Sequence, residues 1–100
     1  MPETAFELSG QVGVTEVARA WKASQPALKR GQLPDRVDLG AITRADSSII
    51  ALLLEWQARA RANHHSIEFT NPPEGLRVLA RLGDAHTLLG WPETDHKDNA

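Results

Sequence analysis

Cysteine is absent from the 100-residue chain, which excludes disulfides, zinc–thiolate sites and thiol catalysis and suits a reducing compartment. Long apolar runs are absent as well. The longest, Ile49 to Leu54, falls far short of the roughly 20 residues that span a bilayer, so no direct membrane insertion is expected. The opening "MPETAFELSG" has neither a basic region nor an extended apolar stretch, and reads as no secretory signal. A basic excess is lacking too: the formal net charge of −2 provides no footprint for nucleic acid. The chain contains no GxxxxGK[ST], GxGxxG or GxSxG pattern, which removes phosphate-cradling loops and the nucleophile elbow. No two histidines stand at the i, i+4 spacing of a helical metal site, and His64 and His65 are adjacent. They read as surface residues at a helix C-terminus, and neither a metal nor a cofactor is expected.

What remains is an ordinary globular composition, 41% apolar and 24% charged, so the default is one folded domain with no room for a second core. Phe6 to Leu8 alternates like a short strand, and Ser9-Gly10 and Gly13 punctuate it. Thr15 is a good helix cap, with Val17, Ala18 and Trp21 following at helical spacing. Pro26 should kink or break that helix. Arg36 to Leu39 alternates again and reads as a central strand feeding toward Ile42. A long helix is expected from Ser47 to Ala62, apolar nearly all round in its first half and solvated in its second. Ser66 to Phe69 is a third strand, and Pro73 opens a last amphipathic helix capped near Gly83. Strands alternating with helices predict an α/β domain with a largely parallel sheet and right-handed connections. The domain should occupy residues 1–91, with 92–100 a disordered polar tail.

The stretch "RADSSIIALLLEW", residues 44–56, sets three small oxygen-bearing side chains directly against six apolar ones. Asp46, Ser47 and Ser48 are all good helix caps. One cap needs one side chain, however, and here three crowd the turn. Amides at a helix start favour negative charge, so a phosphate on Ser47 is one use of the turn; hydrogen bonding to a protein partner is another. Local physics leaves both open. Nothing nearby supplies a positioned base for a serine nucleophile, so a hydrolase is not expected. The arginines at 59, 61, 77 and 81 read as solvated helix faces, with Glu55 and Arg59 at the favourable i, i+4 spacing.

The run "VDLGAITRADSSIIALLLEW", followed by "NPPEGLRVLARLG", resembles the STAS domain family. That family pairs a "VDLS"-type strand with an "ADSSG" or "VDTGG" turn and a Leu-rich helix. The resemblance covers roughly Ala5 to Trp91, residues 36–83 carrying nearly all its specificity, and its flavour is MlaB-like. It implies a small α/β fold whose Ser/Thr turn and following helix dock on the ATPase subunit of an ABC-type phospholipid transporter, and through it on the permease. The chain would then be a non-catalytic subunit, cytoplasmic and peripheral to the inner membrane. By position the functional hydroxyl falls on Ser47, with Arg44, Asp46, Ser48 and Ile49 completing the partner-binding loop. The alternative implied by related members is an anti-sigma-factor antagonist, in which a partner kinase phosphorylates Ser47. Where the family usually has Gly shortly after the Ser/Thr, this chain has Ile49. A branched side chain at the surface there would favour permanent docking over a phosphorylation cycle.

Overall fold

Period-two burial governs the start of the described chain, which runs from residue 6 to residue 91 in a computed structural model: Phe6, Leu8 and Val12 are buried while Glu7, Ser9 and Gln11 are exposed. Ladder pairing, however, is confined to β1, Gly10–Val12. The strand expected over Phe6–Leu8 therefore begins later. Gly10, at φ +69°, turns the chain into the ladder, and the register is irregular between Gly10 and Gln11. The elements that follow are α1 (Val14–Lys29), β2 (Arg36–Asp38), β3 (Ile42–Ala45), α2 (Ser48–Ala62), β4 (Glu68–Thr70) and α3 (Glu74–Leu82).

Two parallel ladders result, β1 with β3 and β2 with β4, so the fold is α/β as expected. The expected strand toward Ile42 is divided. The Ile42 N–H donates to the Leu39 carbonyl at 3.2 Å, closing a tight turn between β2 and β3. Each half of the segment 36–45 serves a different ladder. The strand expected to be central is not: among the described strands β2 pairs with β4 alone and β3 with β1 alone, so each lies at an edge. β4 also starts later than expected, at Glu68. The reason is that the backbone of Ile67 is already occupied: its N–H donates to Gln57 Oε1 at 2.9 Å and its carbonyl accepts from Gln57 Nε2 at 2.8 Å.

Helix α1 starts from Gly13, two positions before the expected Thr15 cap, and it runs through Pro26 to Lys29 without a break. A helical proline deprives the carbonyl four residues earlier of its donor. That carbonyl belongs to Lys22, and both Lys22 and Pro26 lie on the exposed side, where solvent can take the place of the missing donor. The core is built on α2. Ile49, Leu53, Trp56 and Ala60 are fully buried on it, and the Trp56 and Phe6 rings meet edge to face at 5.0 Å. The Trp56 indole N–H donates to Ser24 Oγ at 3.0 Å, and the Ser24 hydroxyl donates on to the Trp21 carbonyl at 2.8 Å. A buried indole is thereby satisfied across the α1–α2 contact. Pro73 precedes α3 and Gly83 follows it, as expected, with Leu76 and Ala80 buried. Trp91 closes the described chain with its indole donating to the Phe69 carbonyl at 2.9 Å. Among the described residues no helix is long and apolar enough to cross a membrane. The disordered tail expected over 92–100 lies outside the described residues.

Candidate functional site

Parallel pairing decides where the site forms. Gln11 stands opposite Arg44 and Val12 opposite Ala45, so β1 and β3 leave their ladder at the same end. Gly13 and Asp46 emerge side by side there, each leading directly into a helix. Between them lies an open depression of about 360 Å³, walled by Gln11, Gly13, Glu16, Arg44 and Asp46. Arg44 reaches it as an exposed residue of β3, not as part of a loop as expected from the sequence.

Asp46 organises the turn. Its N–H donates to the Val12 carbonyl at 3.4 Å. Its Oδ1 accepts from the Ser48 amide at 2.9 Å and also from the Ser48 hydroxyl. The Ser48 hydroxyl, and next the Ser48 amide, hold the Asp46 carboxyl below its ordinary value, because both bond to the charged form. The next two amides are taken as well: Ile49 N–H donates to the Asp46 carbonyl at 3.3 Å and Ile50 N–H to the Ser47 carbonyl at 3.1 Å. Ser47 sits inside this bracket in helical conformation, exposed, its side chain making no capping bond.

The three polar residues therefore divide their work. Asp46 and Ser48 hold the turn and Ser47 presents a hydroxyl to solvent. Ile49 departs from expectation. Its side chain is 0% exposed and belongs to the core, because the helix begins so close to β3 that its second residue already points inward. Ile49 therefore presents no branched side chain at the surface to favour permanent docking. Ile50, one position on, is half-buried.

The α1 side of the site was not read from the sequence. Glu16 Oε1 accepts from the Gly13 N–H at 2.9 Å, and this bond is the chief reason its carboxyl lies below the ordinary value. Val14, the first residue of α1, is an exposed apolar side chain on the same turn. The signal was present in "GVTE", a glutamate three residues after a potential cap, which is one half of a capping box. Thr15 has the better capping side chain, yet the helix starts from Gly13.

Other sequence candidates lie elsewhere. Arg59 pairs with Glu55 at 3.7 Å and stacks over the Trp21 ring, 5.3 Å from its centroid. Arg77 and Arg81 are half-buried on α3. His64 is exposed, but His65 is half-buried, with Nε2 3.0 Å from the Pro34 carbonyl. No group of three or more metal-ligating side chains gathers among the described residues.

A family model described as the MlaB STAS domain matches residues 2–90. No curated protein matches the chain, and no solved structure does.

Proposed function

The chain belongs to the MlaB STAS domain family, and from that premise we propose that it is a non-catalytic docking subunit for the ATPase of an ABC-type phospholipid transporter. Members of the wider STAS family act in general as regulatory or interaction domains. In this reading the chain binds the ATPase through the turn Arg44–Ser48 and stabilises or regulates it. The chain is cytoplasmic, held at the inner membrane through the ATPase and permease, and serves the maintenance of outer-membrane lipid asymmetry.

One observation carries the reading: Ser47 is exposed and makes no capping bond, while Asp46 and Ser48 on either side are committed to each other. A hydroxyl held on a rigid turn, with both donor and acceptor capacity available, suits a specific contact with a partner surface. Phosphorylation of Ser47 fits the same turn less well. The amides of Ser48, Ile49 and Ile50 are already bonded, and the added charge would stand beside Asp46, with Glu16 across Gly13.

Capture of the tagged full chain from its native cells in mild detergent, with mass spectrometry of the partners and of Ser47, tests the proposal. Recovery of an ABC ATPase and permease in stable proportion, with Ser47 unmodified, supports it. Recovery of a soluble serine kinase, with phosphate on Ser47, replaces it by the anti-sigma-factor antagonist.

A further inference from the structure

At position 13 an added side chain would meet a neighbour and not a forbidden backbone conformation. The Gly13 φ of −112° and ψ of −161° lie in the extended region open to every residue. Gly10 is the opposite case, with φ +69° and nothing within 4 Å of an added Cβ. At a helix start glycine also forgoes the side-chain cap that serine, threonine or aspartate would supply. A Cβ on Gly13 would lie 3.3 Å from Asp46 Oδ2 and 3.6 Å from Glu16 Oε1. The first distance is tighter than ordinary carbon–oxygen contact, so the Asp46 carboxylate would have to yield by a few tenths of an ångström.

That carboxylate is the one that holds the turn. Its other oxygen, Oδ1, accepts both bonds from Ser48, and the backbone of Asp46 is tied to Val12, the residue before Gly13. Glu16 fixes the same turn from the α1 side through the Gly13 amide. A continuous path thus runs from Glu16 to Gly13, to Asp46, to Ser48, and it encloses Ser47.

We propose that Gly13 and Glu16 are positioning residues for Ser47: the first turn of α1 holds the Asp46–Ser48 bracket in register and so sets where the Ser47 hydroxyl is presented to the partner. This rests on the reading of Ser47 as the contact residue. Glu16 acts here as a hydrogen-bond acceptor, not as a charge, so Glu16→Gln retains the arrangement and Glu16→Ala loses it. Gly13→Ala acts through Asp46, so its effect disappears once the Asp46 carboxylate is gone.

The test records the amide resonances and amide exchange of Ser47 and Ser48 by ¹⁵N NMR on the full chain. It compares Gly13→Ala, Glu16→Ala and Glu16→Gln, and repeats Gly13→Ala in an Asp46→Ala background. In parallel, each tagged variant is used to capture the ABC ATPase from native cells. Gly13→Ala and Glu16→Ala should move both amides, speed exchange at Ser48 and weaken capture by roughly tenfold, the factor that one hydrogen bond's worth of preorganisation carries. Glu16→Gln should match wild type, and Gly13→Ala should add nothing once Asp46 is Ala. Unmoved Ser47 and Ser48 amides, equal effects in both Asp46 backgrounds, or equal losses from Glu16→Gln and Glu16→Ala would each overturn the proposal. If Gly13→Ala does not fold, the Glu16 pair alone decides. Moved amides with unchanged capture would support the coupling and remove Ser47 from the interface, so failure of the contact reading is seen separately.

Discussion

Two aspartates end two strands of this domain in the same way. Asp38, at the end of β2, accepts the amide two residues on, from Gly40 at 2.8 Å. Asp46, just past β3, accepts the amide two residues on, from Ser48 at 2.9 Å. Both carboxyls lie below their ordinary value, Asp38 chiefly through the Gly40 amide and Asp46 chiefly through the Ser48 hydroxyl, with the Ser48 amide next. Each also takes a second side-chain donor, Asn71 Nδ2 at 3.2 Å for Asp38 and the Ser48 hydroxyl for Asp46. The residue enclosed between aspartate and amide is what differs. In the first knot it is Leu39, 0% exposed; in the second it is Ser47, exposed. The same local chemistry plugs a side chain into the core in one place and holds a hydroxyl out to solvent in the other. The polar knot is thus a structural device in both. In the proposed docking role, function attaches to what the knot displays.

The largest effect separating the two falls on the enclosed residues. Leu39→Ala should cost about 2–5 kcal/mol, the usual range for emptying a buried leucine site, seen as a lowered urea midpoint. ATPase capture by the folded fraction should not change. Ser24→Ala tests the core by another route: it strips the buried Trp56 indole of its acceptor and should cost about 1–3 kcal/mol in the same assay. Next come the aspartates. Asp38→Ala and Asp46→Ala should each lower the midpoint by less than Leu39→Ala, but Asp46→Ala alone should weaken ATPase capture. Equal losses of capture would erase the distinction between the knots.

Acid should loosen both knots together. The stabilisation from each carboxylate is present in full above the ordinary value of 3.8 and is lost as pH falls through the lower folded-state values. Urea unfolding at about pH 6 and about pH 3 should show a drop that shrinks in an Asp38→Asn/Asp46→Asn double variant, where those two groups no longer titrate. An undiminished drop would place the acid sensitivity elsewhere.

How much of this was legible in the sequence follows the range of the forces involved. The helices were readable because apolar spacing and punctuation are local: "NPP" and Gly83 bracket α3 as expected. The strand limits were not, because pairing is decided by the partner. Ile67 looks like a strand residue, yet its backbone is taken by Gln57, and the turn at Leu39–Ile42 splits one apparent strand into two. Pro26 misled because its cost depends on whether the deprived carbonyl faces water. At the site, the crowding of Asp46, Ser47 and Ser48 was visible, and so was the position of Ser47 within it. The inward direction of Ile49 was not, since a helix's rotation is set by its packing. The contribution of Gly13 and Glu16 was hidden for a related reason. It depends on β1 and β3 leaving their ladder side by side, a juxtaposition across some thirty residues that no local pattern encodes.

The smallest expected effect on stability carries the central claim. Ser47→Ala and Ser47→Asp should each leave unfolding within about 0.5 kcal/mol of wild type, as exposed substitutions usually do. The measurement that matters most is capture of the ABC ATPase from native cells by wild type and the two Ser47 variants side by side, with urea unfolding of each. The account predicts recovery with wild type and loss with Ser47→Asp, with weaker recovery for Ser47→Ala and the same fold throughout. ATPase recovery indifferent to both changes would contradict it and return Ser47 to an ordinary exposed residue at a helix start.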